Sequence, residues 1–143
     1  MKQLLENVHI FSGLTDEELA LVEGIGHAET KEPGEQIVLQ NSTGKDVFIV
    51  DEGSIEVYVT VDDADKPIVF LGHGQLFGEM ALLDQGHRSA SGRAGKGGCS
   101  LVRIDNDDFK TLCAEHPKIG YSVMMHFAMD LAFKLRHMNL TTT

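Results

Sequence analysis

The chain has no tryptophan, only two cysteines, and 12 basic residues against 22 acidic ones, and each shortage excludes something. The net charge of -10 repels a phosphate backbone, because non-specific nucleic-acid binding needs a basic surface that releases counterions. Direct nucleic-acid binding is therefore not expected. The basic residues are scattered, and the nearest cluster, Lys134, Arg136 and His137, reads as the end of a helix, where cations complement exposed carbonyls. Cys99 and Cys113 stand far apart, as buried small hydrophobes do, and not as a redox pair. No apolar stretch reaches bilayer length, since the richest, residues 123–135, is interrupted by Asp130, so no membrane association is expected. The first residues, Met-Lys-Gln-Leu-Leu-Glu-Asn, lack the apolar core and cleavage site of a secretory signal, which points to a cytoplasmic protein.

What is present suits one soluble domain. A length of 143 residues with 42% apolar and 24% charged content allows a single real core. Three segments are expected: an N-terminal helical segment over residues 1–26, a β region over 27–104 and C-terminal helices over 105–143. In the first, Thr15 and Glu18 have capping-box spacing, Leu14, Leu19 and Val22 form one apolar stripe, and Gly24 and Gly26 close the helix. From about His27 the hydrophobic period becomes two and turn signals recur every ten residues or so, the mark of an all-β sandwich or barrel. Pro33-Gly34-Glu35 turns the chain into Ile37 and Leu39, and residues 41–45 form a loop. Val47 to Val50 reads as a strand closed by an Asp51-Glu52-Gly53 turn, and Ile55, Val57 and Val59 as the half-buried strand that follows. The acidic run Asp62-Asp63-Ala64-Asp65 lacks the glycine and glutamate of a helix-loop-helix calcium loop and reads as a solvated hairpin tip.

Asp105 or Asn106 is placed to cap a helix ending near Glu115, and Pro117 to open another. The second helix is apolar nearly all round: Ile119, Val123, Phe127, Leu131 and Leu135 form one row, flanked by Met124, Met125, Met129 and Phe133. A domain this small covers one such face, so a partner helix is implied, most simply in a homodimer; the plain alternative is that the methionines fill the core under the β region.

Residues 77–90 carry the chemistry. Gly78 permits a sharp turn out of a strand, and residues 79–83 suit one helical turn whose free amides face an anion. Arg88 returns on the next strand with a planar guanidinium suited to two phosphate oxygens, and Ser89 adds a hydroxyl. Glu79 beside an anion makes sense as the acceptor of a neutral hydroxyl, such as a ribose 2′-OH. Together these groups describe a phosphate fused to a sugar.

Phe-Gly-Glu-x-Ala-Leu followed by Arg-Ser-Ala, with Arg88 ten positions after Gly78, resembles the phosphate-binding cassette of the cyclic nucleotide-binding domain family, which includes catabolite activator proteins, kinase regulatory subunits and nucleotide-gated channels. Phe11-Ser12-Gly13-Leu14, Pro33-Gly34-Glu35, Asp51-Glu52-Gly53-Ser54 and the closing helices extend the resemblance over essentially the whole chain. It implies a mainly β fold with flanking helices: an antiparallel β-roll (double-stranded β-helix, jelly-roll type) with an N-terminal helix, a short cassette helix, and hinge and lid helices. It also implies a ligand, cAMP more than cGMP, and no further cofactor or metal. Glu79 would take the ribose 2′-OH; Gly78, Met80 and Ala81 would offer backbone; Arg88 and Ser89 would hold the cyclic phosphate; Phe77 and Ala90 flank them. In the family, threonine at the Ser89 position leans to cGMP and alanine to cAMP in eukaryotic members, while serine is familiar in bacterial cAMP binders.

Three departures stand out: His87 replaces a proline common before the arginine, Gly92, Gly95, Gly97 and Gly98 loosen the next strand, and nothing follows the lid helix. The last leads us to expect no DNA-binding or catalytic domain, with output through the dimer or an unknown downstream protein. An enzyme is not expected. The seven histidines include no His-x-His pair for a cupin-like metal site, and no Gly-x-Ser-x-Gly elbow exists for a hydrolase. The remaining rival is a degenerate roll that dimerises without nucleotide. The base has several candidate caps, Phe127, Met129 and Phe133, and no tryptophan.

Overall fold

A computed structural model describes residues 1–83 and 88–142. Two short helices open the chain, α1 (Lys2–Glu6) and α2 (Asp16–Glu23), with a 3-10 turn (His9–Phe11) between them. The capping box is present: Glu18 N donates to Thr15 Oγ1 at 3.2 Å while Thr15 N donates to Glu18 Oε1 at 2.9 Å. Six strands follow among the described residues: β1 (Gly26–Lys31), β2 (Gln36–Val38), β3 (Asp46–Val61), β4 (Ala64–Leu71), β5 (Leu76–Phe77) and β6 (Ser91–Asp105). They pair antiparallel in the order β1-β6-β3-β4, with β2 on β6 and β5 on β3. Helices α3 (Asn106–Glu115) and α4 (Pro117–Thr142) close the chain. This is the expected β-roll with flanking helices. Among the described residues, no helix is long and apolar enough to cross a membrane.

The pair β3 and β6 organises the molecule because each strand faces two cores. Val47 and Ile49 of β3, with Val102 and Ile104 of β6, pack under the helices, whereas Phe48, Val50 and Leu101 point into the roll. Strict alternation would send Ile55 and Val57 to the helical side, yet both lie inside the roll with Phe48 and Val50. The change of face comes from irregular register at Val50/Glu52 and Gly53/Ile55. Asp51-Glu52-Gly53 is therefore a bulge within one 16-residue strand, not the turn expected from the sequence. Gly98 makes the matching bulge on β6: Gly53 and Gly98 both have positive φ (76° and 80°), and a methyl group on Gly53 would overlap the Gly98 carbonyl oxygen.

Two further expectations are corrected. The glycines of β6 do not loosen it, because β6 is one 15-residue strand and its glycines admit neighbours: a methyl at Gly92 would lie 2.6 Å from the Phe77 ring, and one at Gly95 would overlap Ser54 Oγ. Lys134, Arg136 and His137 do not end the last helix, since backbone hydrogen bonding continues past them to Thr142 whatever the polarity of the side chains. The α3 cap is Asp105, whose side chain accepts from the amides of Asp107 and Asp108. Asp62 and Asp63 form the expected hairpin tip, both with positive φ. Both cysteines are free thiols, and burial raises the pKa of each.

The N-terminal segment is clasped to α4. His9 Nε2 lies 3.1 Å from Asp130 Oδ1, Ser12 Oγ lies 3.1 Å from His126 Nε2, and Ile119, Val123 and Phe127 are buried in the helical core. Past Phe127 the apolar row leaves that core: Leu131 and Leu135 are exposed, as are Met125, Met129 and Phe133.

The bulge account predicts that Gly53→Ala lowers unfolding free energy by about 2 kcal/mol or more, from left-handed backbone strain plus a backbone overlap. Gly97→Ala, with open space around it, should change stability by less than about 0.5 kcal/mol. Urea titration of both variants checks the contrast, and equal midpoints would contradict it.

Candidate functional site

The cassette begins where β5 is stitched to β3, with Phe77 opposite Phe48 and their ring centroids 6.5 Å apart. Gly78 then takes a left-handed conformation (φ 80°, ψ 23°) and caps a 3-10 turn, Glu79–Leu82, which Leu82 anchors in the helical core. The expected sharp turn and single helical turn are both present. Asp84, Gln85, Gly86 and His87 lie outside the described residues, and with them the departure noted at His87.

Arg88 precedes β6 instead of lying on it, and its backbone is fixed from both sides: its amide donates to Ser42 O at 2.9 Å and its carbonyl accepts from Asn41 N at 2.8 Å. Its side chain runs between two glycines. A methyl on Gly44 would stand 2.6 Å from Nε and Nη2, and one on Gly78 would overlap Nη1, so a side chain at either position would press on the guanidinium where it now lies. Nη2 donates to the Asp46 carbonyl at 2.7 Å, and Cζ lies 6.0 Å from the centre of the Phe48 ring. Arg88 is 8% exposed, yet among the described residues no carboxylate lies within ion-pairing distance of it. Burial pulls its pKa down, and the Asp46 charge partly opposes that. Among the described residues, then, the guanidinium is buried with donors to spare and no paired carboxylate, an arrangement able to receive an anion.

That guanidinium lines a cavity of about 390 Å³ whose apolar wall is Ile37, Val38, Leu39 and Phe48, with Ser42 and Thr43 at its polar rim. Glu79 does not line it. The half-buried Glu79 borders a second cavity of about 360 Å³ between the cassette turn and α4, together with Met80, Gln75, His9, Phe127 and Asp130. Gly78 thus lies between the Arg88 guanidinium and Glu79, which opens the 3-10 turn. Ser89 is exposed, Ala90 is half-buried against the core of the roll, and Ala81 lies in the 3-10 turn. Of the candidate caps for a base, Phe127 is buried beside Glu79, while Met129 and Phe133 are exposed. The sequence reading missed Gly44, Asp46 and Phe48; the signal available was the run Ser42-Thr43-Gly44, small and hydroxyl-bearing within one loop. Among the described residues no group of histidine, cysteine and carboxylate side chains is arranged to hold a metal ion.

The sequence pattern of the cyclic nucleotide-binding domain matches residues 28–116, and the chain belongs to that family. It is 30% identical to the cyclic AMP receptor protein of Thermus thermophilus over 92% of this chain and 59% of that protein. It is 31% identical to the cAMP-dependent protein kinase type II regulatory subunit of Drosophila melanogaster over 78% of this chain and 29% of that one. The chain therefore spans less than two thirds of either relative. Among solved structures, the catabolite activator protein of Thermus thermophilus superposes with a TM-score of 0.79 at 30% identity, covering 93% of this chain and 61% of that one. The N-terminal domain of a Streptomyces coelicolor transcriptional regulator shares the fold, with a TM-score of 0.86 at 23% identity and 94% of both chains covered.

Because Gly78 has left-handed backbone while Gly44 borders only the movable end of a side chain, the two glycines should respond differently to alanine. Gly78→Ala is expected to cost about 1–3 kcal/mol of stability and Gly44→Ala under about 1 kcal/mol. Denaturant titration of the two variants measures this, and a larger loss at Gly44 would refute the assigned geometry.

Proposed function

We propose that residues 1–143 form one non-enzymatic sensor domain that binds a cyclic nucleotide, cAMP in preference to cGMP, and passes its occupancy on through a homodimer or a downstream protein. The observation that carries this reading is Arg88, a buried cation facing a cavity with no carboxylate of the described residues paired to it. The cyclic phosphate would dock on the guanidinium, on Ser89 and on the backbone of Gly78, Met80 and Ala81, and the ribose 2′-OH would donate to Glu79. Phe77 and Ala90 would frame the site. The preference for cAMP is supported by serine at position 89 and by the names of the two relatives at 30% and 31% identity.

Arg88 packs against Gly78 and Glu79 follows it, so a ligand touching both would bear on the cassette turn and could shift it about that glycine. Leu82 ties that turn to the helical core and Glu79 shares its cavity with α4, so such a shift would reposition α4. Binding would then select among α4 positions. The second reading is a module that dimerises and binds no nucleotide.

Calorimetric titration decides between the two. Micromolar or tighter cAMP binding is expected in the native chain, and Arg88→Ala should lose at least about 2 kcal/mol, roughly thirtyfold in affinity. Tight binding that survives Arg88→Ala would rule out the pose, and no heat with either cAMP or cGMP would favour the module.

The dimer is supported by the exposed Met125, Met129 and Phe133 of α4, an apolar face on a helix that runs beyond its own core. Sedimentation should show a dimer for the native chain and a monomer for Met129→Glu. An unchanged mass would remove α4 as the interface.

A further inference from the structure

Among the described residues no carboxylate pairs with Arg88, although one belongs to the very residue it touches. Its Nη2 is bonded to the Asp46 backbone carbonyl, and the Asp46 side chain borders the same cavity, close enough to act electrostatically on the guanidinium. An Asp46 carboxylate turned to Arg88 would neutralise it and repel any phosphate entering the cavity. In the structure it is held elsewhere. Arg103, paired with Phe48 across the sheet, reaches Asp46 Oδ1 with Nη1 at 3.6 Å. Arg103 is itself aimed by β1, its Nε donating to Glu29 Oε2 at 2.7 Å. Glu29, Arg103 and Asp46 thus form a charge chain across three strands, each side chain about a third exposed or less. The Glu29–Arg103 link is the stronger one: the hydrogen bond from Arg103 leads the causes that lower the Glu29 pKa, the bond to Glu29 leads those that raise the Arg103 pKa, and Asp46 adds to the latter after Glu29.

We propose that Arg103 is a positioning residue for the anion site: by holding the Asp46 carboxylate it leaves Arg88 uncompensated and the cavity open to a phosphate. The role rests on the nucleotide-binding reading above. It has a signature that mere structural support lacks, because the damage done by losing Arg103 should run through a single carboxylate and disappear with it. Asp46→Asn keeps the backbone carbonyl that Arg88 uses and removes only the charge.

The test is calorimetric titration of cAMP into the native chain, Arg103→Gln, Asp46→Asn and the double variant. Arg103→Gln is expected to weaken binding about tenfold or more, as an unscreened charge near a partly buried site should. The double variant should return to within about threefold of the native chain, and Asp46→Asn alone should bind as tightly as the native chain or tighter. Three results would overturn the proposal while leaving the nucleotide reading intact: an unaffected Arg103→Gln, a double variant as weak as the single one, or a tenfold loss in Asp46→Asn. The last stands even where Arg103→Gln fails to fold. A native chain that binds no cyclic nucleotide overturns both readings together.

Discussion

Everything at the site depends on one constraint: the Arg88 guanidinium is taken out of water with no carboxylate among the described residues paired to it. Burying a charge is costly unless it is paired or well bonded, and here the structure supplies one short bond to a carbonyl, an aromatic face and two glycines that leave room. Such an arrangement is stable enough to fold and incomplete enough to attract an anion. The backbone of Arg88 is pinned to residues 41 and 42, so the loop preceding β3 and the segment preceding β6 hold the cation jointly.

The strand architecture serves that constraint. The paired bulges at Gly53 and Gly98 keep Phe48, Val50, Ile55 and Val57 on one face and so close the roll around the cavity. Gly92 lets the Phe77 ring lie against β6, which sets the position at which Gly78 turns and the 3-10 turn begins. On the opposite face, Val47, Ile49, Val102 and Ile104 meet the helices, so cassette, N-terminal segment and α4 share one core. The cassette and α4 are thus joined by packed side chains, while the far half of α4 is exposed.

Local signals in the sequence were read well. The capping box at Thr15, the Asp105 cap, the first-turn proline at 117 and the cassette turn all depend on residues within a few positions of one another, and all are in place. Errors arose where distant pairing overrides local pattern. Five positions separate Val50 from Ile55, an odd spacing that resembles a chain reversal until β6 bulges opposite it. The β6 glycines suggest slackness in isolation and are close contacts once Phe77 and Ser54 lie against them. The family resemblance supplied the roles of Glu79 and Arg88, but Gly44 and Asp46 lie some forty residues from Arg88, and only the topology brings them to it.

If the buried Arg88 cation receives the phosphate of a nucleotide, its guanidinium Nε resonance will report it in a nitrogen-15 NMR titration with cAMP. The expected result is a shift of that resonance that saturates at one nucleotide per chain as the Asp46 carbonyl is exchanged for phosphate oxygens. An Arg88 resonance unmoved while cAMP binds elsewhere on the chain would contradict it.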